Sequence, residues 1–442
     1  MKVPGVDIIT MGCSKNLIDS ERLIAKIRRK GYAARHDPEL PQADYVVVNT
    51  CGFIGDAKEE SINMILNIVE LKNRGKVGKI AVMGCLSERY LKDLKKEIPE
   101  VDFWYGKFDW NGFIDNLPEL NAPEKVQSDK IAPRLTTKPW TAYVKISEGC
   151  DRYCAFCAIP LITGSHVSRP IPEIISEVED LAKAGVKEIN LIAQDLSSYG
   201  TDLYGETRLA DLLERMATVE GIEWIRLHYL YPSDFPVDIL DVINRHPNIC
   251  KYLDLPLQHI SDKVLKGMKR KITKGETLNL LELIKRKVPG IHLRTTIMTG
   301  FPGEGEEEFE ELLGFIKEMK FDRLGGFAYC EEEDTLAAKI FEDTISSEEK
   351  ERRLATIMEV QREIASSLND EKIGSVLKVL VEENNDGVAI GRTEFDSPEV
   401  DQEVIIDNCN VEPGNFVMVE ITSSTPYELH GNIISNLKID NK

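Results

Sequence analysis

The chain has 442 residues, 42% hydrophobic and 29% charged, with 55 basic against 75 acidic residues and a net charge of −20. A prior of about 150 residues per domain points to roughly three domains, and no apolar run approaches the ~18 residues that would span a bilayer. The acidic balance argues against broad, non-specific nucleic-acid binding and suits a basic protein partner better than a polyanion.

Residues 1–6 enter a strand pattern at once and show no signal-peptide apolar core. Nine cysteines without such a leader belong in a reducing compartment, so a cytoplasmic location without membrane association is expected. Within residues 1–122 one arrangement recurs three times: a strand pattern, a Cys-bearing turn and a helix pattern. Residues 6–11 end at Gly12-Cys13 and lead into a helix pattern over 17–30. Residues 45–49 end at Thr50-Cys51, followed by a helix pattern from 56 to about 73; residues 79–83 end at Gly84-Cys85, followed by 88–97. Units of this length build a parallel sheet with helices on its faces. Loops at the carboxyl ends of such strands line the crevice where open α/β sheets bind ligands. Cys13, Cys51 and Cys85 therefore share one edge of one sheet, although 38 and 34 residues separate them. A lone Cys after a buried strand is more often a small apolar filler. Three in the same topological place point instead to a metal cluster with one open iron.

Residues 123–139, with Lys, Ser and Pro throughout, read as a linker. From 140 to 345 the βα alternation resumes with six strands, at 141–146, 188–193, 224–229, 252–255, 292–298 and 323–329. Six consecutive βα units form an incomplete relative of the eightfold barrel, whose site lies at the strands' carboxyl ends. Directly after the first of these strands stands Gly149-Cys150-Asp151-Arg152-Tyr153-Cys154-Ala155-Phe156-Cys157. At the chain's Cys frequency, chance supplies roughly 0.004 runs of the form C-x₃-C-x₂-C. Three thiolates this close converge on one small inorganic object; a four-iron cubane held by three leaves one iron open to a substrate or cofactor. A zinc site would want a fourth Cys or His at comparable spacing, and His166 lies nine residues on. Residues 346–370 form one charged amphipathic helix. Residues 371–438 alternate with period two, broken by Asn, Asp and Pro-Gly, as in a small antiparallel β-barrel. The expected fold class is α/β: an N-terminal parallel α/β sheet domain, a central partial (βα)₆ barrel and a small C-terminal β-barrel.

The C-x₃-C-x₂-C run after a strand resembles the signature of the radical S-adenosylmethionine (SAM) superfamily. There the open iron binds the amino and carboxylate groups of the cofactor, and the reduced cluster cleaves it to a 5′-deoxyadenosyl radical. With the three-Cys domain before it and the small barrel after it, almost the whole chain resembles the radical SAM methylthiotransferases, in which the small barrel is called a TRAM domain. These enzymes insert sulfur into an unactivated C–H bond and deliver it as a methylthio group. The resemblance implies two 4Fe–4S clusters and two SAM molecules per product. A cluster on Cys150, Cys154 and Cys157 would bind SAM and generate the radical that removes the hydrogen; one on Cys13, Cys51 and Cys85 would carry the sulfur. Metal cofactors are needed because no side chain abstracts an unactivated hydrogen.

Within that family, Gly12-Cys13-Ser14-Lys15-Asn16 and Asn49-Thr50-Cys51-Gly52-Phe53-Ile54 resemble the RimO-type branch, which acts at the β carbon of an aspartate of the twelfth small-subunit ribosomal protein. The alternative, the MiaB-type branch acting on a transfer-RNA adenosine, usually has Gln-Met in place of Ser14-Lys15. Many members carry a basic residue before Gly164, where this chain has Thr163. Charge gives a separate test. Residues 370–442 hold 15 acidic against 5 basic residues, a net of −10. A module gripping RNA phosphates should carry Lys and Arg, so tight RNA binding is not expected; an acidic one suits a basic ribosomal protein, solubility being the plainer reading. The sulfur donor and reductant stay unidentified. Gln194, ending the second barrel strand, is expected near the cofactor. Gly300 and Gly303, ending the fifth, would let backbone approach it closely, though a tight turn alone also explains them. Arg226 and His228 lie on the third strand, and His259 reads as structural or as a ligand. Cys250, Cys330 and Cys409 read as bystanders.

Overall fold

The computed structural model describes residues 4–119 and 138–436. Most of the expected linker and the last two residues of the expected C-terminal module lie outside the described residues. The first unit is a parallel sheet in the order Ala33–His36, Gly5–Thr10, Tyr45–Thr50, Lys79–Gly84, Phe103–Trp104. Its central strand shows why these residues form it. Val46 and Val48 pack with Ile65 and Ile68 on one face, while Val47 packs with Leu23, Ile27 and Phe113 on the other, all fully or nearly fully buried. That period of two is what a strand covered on both faces needs. Helices Ser14–Arg29, Gly55–Asn73 and Cys85–Glu97 start within a few residues of the strands that precede them. The two outer strands are not announced by sequence pattern: one is four residues long and half polar, the other two residues long.

The second unit is six parallel strands in sequential order, Thr141–Lys145, Glu188–Ile192, Trp224–Leu227, Ile249–Asp254, His292–Thr299 and Arg323–Ala328. The first and last strands are the two edges of the sheet, so the barrel is open along one side. Helix Ser347–Asp370 lies against the last strand, with Ile357 and Ile364 joining the barrel core. Gly326 permits that contact, because a Cβ there would stand 2.6 Å from Leu354 Cδ1. The third unit is a closed five-stranded barrel of Val376–Asn385, Val388–Thr393, Glu403–Ile406, Glu428–Asn436 and Phe416–Ser424. Four pairings are antiparallel; Glu403–Ile406 with Glu428–Asn436 is parallel.

The small barrel docks on the amino ends of the six strands, opposite the end that carries the cysteine loop. Glu188, the first residue of its strand, is fully buried and receives Arg392 Nη2 at 2.7 Å, Arg226 Nη2 at 3.2 Å and Thr141 Oγ1 at 2.9 Å. Arg323 meets Asp396, Arg294 Nε stands 3.3 Å from Asp401, and His292 stacks on Phe395 with ring centres 3.8 Å apart. Part of the C-terminal acidic excess is thus directed inward, toward arginines of the central barrel. Burial pushes the Glu188 carboxyl up, but Arg392 and Arg226 more than offset it and bring it down to about 2.

Glu188→Gln should lower stability by about 3–5 kcal/mol, because it leaves the buried Arg226 guanidinium without a carboxylate and Arg392 with Glu382 alone; a lower urea midpoint would show it. The folded carboxyl sits below its ordinary value of 4.5. Its stabilisation is therefore complete above about pH 4.5 and lost as pH falls toward 2, and the gap between wild type and variant should close over that window.

Candidate active site

Three loops at the carboxyl ends of the first sheet carry Cys13, Cys51 and Cys85. Cys13 precedes helix Ser14–Arg29 and Cys85 opens helix Cys85–Glu97. The loops are pressed together where glycine allows it. Gly12, at φ +87°, has Cys51 Cβ and Sγ within 2.6 and 2.7 Å of where its own Cβ would be, and a Cβ on Gly52 would strike the Leu86 backbone at 2.6 Å. Beneath them Asn16 Nδ2 donates to Met11 O and Thr50 O, both at 3.0 Å, and Asn49 Nδ2 donates to Asn16 O at 3.0 Å. The Cys51 amide donates to Ser61 Oγ at 3.0 Å. Cys51 and Cys85 are buried, and Cys13 is exposed. Burial pushes Cys51 up and Cys85 to about 11, each also feeling the Cys13 charge. Desolvation raises Cys13 too, yet Lys15 and the amides of Asn16 and Lys15 bring it below its ordinary value.

The second triad follows the first barrel strand. Gly149 (φ +78°) leaves no room for a Cβ, which would lie 2.0 Å from Ser165 O. Cys150 N donates to Gly164 O at 3.2 Å and Cys157 N to Cys154 O at 3.1 Å, so the loop is tightly wound. Burial raises Cys150 to about 11 and Cys157 further, and in both the Cys154 charge adds to the rise. Arg270 Nη1 and Tyr231 Oη each stand 3.5 Å from Cys154 Sγ. Arg152 and Arg270 both meet the Tyr231 ring, 4.4 and 4.1 Å from its centre. Both triads offer nothing but sulfur, a donor set that fits iron–sulfur chemistry. Among the described residues no three His, Cys, Asp or Glu side chains are arranged to hold a single metal ion. His166 meets Ser168 at 3.0 Å and Asp202 at 3.8 Å instead.

The two triads are neighbours across the seam between the first two units. Cys85 packs against Ala158 and Ile162, and Ala158 directly follows Cys157. Beside that contact lies a buried charge network. Lys107 Nζ stands 3.7 Å from Cys85 Sγ, 3.3 Å from Asp19 Oδ2 and 3.8 Å from Glu148 Oε1. Lys145 Nζ meets Asp19 and lies 2.6 Å from Glu148. Burial pulls the Lys107 ammonium down, but Asp19, Cys85 and Glu148 raise it overall; Glu148, raised by burial, ends lowered by Lys145 and Lys107. Gln194 donates to Glu148 through Nε2, and its Oε1 is buried without a partner. No local pattern announces Lys107, Asp19 or Arg270, because their partners are far along the chain, and the spacing of Lys145 to Glu148 alone does not show that Lys145 meets Asp19 and Glu148 meets Lys107.

Other positions have other settings. The space in front of Gly300 (φ +74°) holds Lys350, whose Cγ would be 2.2 Å from a Cβ, while Gly303 (φ +95°) has nothing within 4 Å. Arg226 turns to the small barrel, where Nη1 donates to Glu394 O at 2.5 Å. His228 is buried against Asn190 Oδ1 at 3.2 Å. His259 accepts from Ser261 N and faces Glu304 at 3.3 Å, as a structural histidine does. Thr163 donates to Ile159 O at 3.0 Å. Cys250 and Cys409 are buried and Cys330 is exposed. Two cavities open at the seam. One of about 310 Å³ is lined by Arg22, Lys145 and Arg169 with Asp19 and Glu148. The other, about 610 Å³, lies between Phe53 and Ile54, Phe156 and the end of the last barrel strand, and five carboxylates line it against one ammonium, Lys350.

The comparisons agree with this division. Residues 5–106 match the uncharacterized protein family UPF0004, residues 144–316 the radical SAM superfamily and residues 373–434 the TRAM domain. A protein of Phocaeicola vulgatus named ribosomal protein uS12 methylthiotransferase RimO is 53% identical over 98% of this chain and 100% of its own. One of the same name from Porphyromonas gingivalis is 52% identical over 97% of this chain and 99% of its own. Among solved structures, the radical SAM methyltransferase TsrM from Kitasatospora setae superposes with a TM-score of 0.57 at 13% identity, covering 76% of this chain and 77% of that one. The cobalamin-dependent radical enzyme OxsB gives 0.52 at 14% identity over 81% of this chain and 56% of that one. At such identities these two likenesses concern the fold.

Gly12→Ala should disturb the first triad through both its φ and its contact with Cys51. Gly303→Ala, equally strained in φ but open in front, isolates the backbone share, about 1–3 kcal/mol. Gly12→Ala should therefore depress the thermal midpoint more than Gly303→Ala and speed alkylation of Cys51 in the metal-free protein.

Proposed function

The chain belongs to the RimO family of ribosomal protein uS12 methylthiotransferases, which are radical SAM enzymes, and from there we propose the finer reading. It carries two 4Fe–4S clusters, on Cys13, Cys51 and Cys85 and on Cys150, Cys154 and Cys157, and uses two SAM molecules to place a methylthio group on the β carbon of an aspartate of the small-subunit protein. The observation that carries this is the pair of all-thiol triads, each at the carboxyl edge of a parallel sheet, meeting where Cys85 packs on Ala158 beside Cys157. When bound, the barrel cluster with SAM would supply hydrogen abstraction and the other cluster the sulfur.

The chain's own residues do the remaining work. Lys107 beside Cys85 sets positive charge against a thiolate that burial makes costly, and Arg270 places another positive charge beside Cys154. Tyr231 turns its hydroxyl to the same sulfur while donating to Arg270 O at 2.9 Å, fixing both. Gln194, with a buried and unpartnered Oε1, is the polar group best suited to accept from SAM. Gly300 and Gly303 lie at the end of the fifth barrel strand, and Gly303 leaves open space in front of its backbone. The acidic 610 Å³ cleft suits a basic protein segment, not a polyphosphate.

Anaerobic reconstitution should give about eight irons per chain, and replacing Cys150, Cys154 and Cys157 by Ala should leave about half; saturation of the wild type at four would refute two clusters. With SAM, a reductant and a peptide of the ribosomal target, the peptide should gain the mass of one methylthio group. Replacing Cys13, Cys51 and Cys85 should abolish that gain while 5′-deoxyadenosine still forms. A modified transfer-RNA adenosine with an unchanged peptide would assign the activity to the other branch.

A further inference from the structure

Lys15 occupies an unusual position for a lysine. Its Nζ stands 3.5 Å from the centre of the Tyr229 ring, and among the described residues no carboxylate meets it. The first residues of helix Ser14–Arg29 are planted in the barrel mouth, where Leu17 and Ile18 pack with Tyr143, Ile192 and Tyr229. That apolar collar fixes the helix end and holds the ammonium at the seam. On one side of it is Cys13, two residues back in the chain. On the other, two residues beyond Tyr229, is Tyr231, whose hydroxyl touches Cys154. A ring face attracts a cation without neutralising it, since it accepts no proton and carries no net charge. Every other lysine at this seam is matched to acid: Lys107 and Lys145 share Asp19 and Glu148. Lys15 is held in place with no carboxylate paired to it among the described residues, the Cys13 sulfur being the acidic group whose charged form it favours.

We propose that Lys15 is the carboxylate-binding residue for the substrate: its ammonium pairs with the side chain of the target aspartate and sets the adjacent β carbon between the two triads. The inference rests on the reading that an aspartate is the substrate. An ammonium has three N–H donors, so it can keep the Tyr229 face while donating to a carboxylate, and a charge-assisted bond in a partly desolvated seam is stronger than a neutral one. An asparagine of the same shape offers no charge to pair, so the site discriminates by charge, not size.

The test uses the reconstituted full-length enzyme under anaerobic conditions and a fluorescent peptide from the ribosomal target, read by anisotropy. One peptide carries the target aspartate and the other asparagine at that position. The wild type should prefer the aspartate peptide about tenfold or more. Lys15→Met should bind the two peptides within about twofold of each other, with its affinity for the asparagine peptide close to that of the wild type, and Lys15→Arg should recover part of the preference. A Lys15→Met protein that keeps the full preference overturns the proposal, as does one that weakens both peptides equally, which would make Lys15 a structural residue. A wild type that neither binds nor methylthiolates the aspartate peptide overturns the substrate reading itself, and the proposal falls with it.

Discussion

Two ammoniums and two carboxylates between the first two units, three of them buried and Glu148 partly so, set the geometry on which everything else depends. Lys107 and Asp19 belong to the first sheet's loops and helices, Lys145 to the first barrel strand and Glu148 to the two-residue strand that follows it. Lys107, Lys145 and Asp19 are each 5% exposed or less. A single unpaired charge there would cost several kcal/mol, so the units fit together in one register, where all four groups are matched. That register brings the carboxyl edges of two parallel sheets face to face. Each sheet delivers its cysteines to that edge by topology alone, since strands running the same way end on the same side. The network also supplies Lys107 to Cys85 and holds Glu148 against Gln194, so the groups that dock the units also set the polarity of the site.

The opposite end of the barrel is closed by a different set of charges. Glu188, Arg226 and Arg392 are buried together where the small C-terminal barrel meets the amino ends of the strands, and Asp396 and Asp401 reach Arg323 and Arg294. The barrel is thus stoppered at one end and faced by the N-terminal unit at the other. Its side remains open between Thr141–Lys145 and Arg323–Ala328.

Much of this was legible in the sequence because the signals were local. The apolar run in Tyr45–Thr50, the Cys-bearing turns after each strand and the C-x₃-C-x₂-C spacing each occupy fewer than ten consecutive residues, and the six barrel strands were recognisable from such runs. What stayed hidden is non-local. Ala33–His36 and Phe103–Trp104 are too short or too polar to show a period. The partners of Lys107 and Lys145 lie 88 and 126 positions away, at Asp19. The acidic tail was a fair clue to composition but a poor one to direction. A count of charges cannot separate Asp396 and Asp401, which face the barrel, from Asp407 or Glu412, which carry no ion pair among the described residues. Gly300 has a non-local use that no run around it announces: its missing Cβ makes room for Lys350, from a helix 50 residues on.

The closed ends constrain how a substrate as large as a ribosomal protein can be reached. On the proposed reading its target carbon has to come within van der Waals range of groups held by both triads, yet the folded protein cannot enter a cavity of about 610 Å³. An extended loop can. The cleft at the seam is lined by residues adjoining Cys51 (Phe53, Ile54) and Cys157 (Phe156), so a strand of peptide laid in it passes both cysteine loops at once. Its exposed Phe53 and Phe327 offer apolar contact to the stems of long side chains. Asp56, Glu331 and Glu351, exposed and unpaired among the described residues, offer charge to their heads. The same carboxylates would repel an RNA backbone at close range, where screening over ~8 Å is weakest. On that reading substrate choice belongs to the walls of the seam, where sheet topology has gathered the two cysteine triads, more than to the small barrel at the far end.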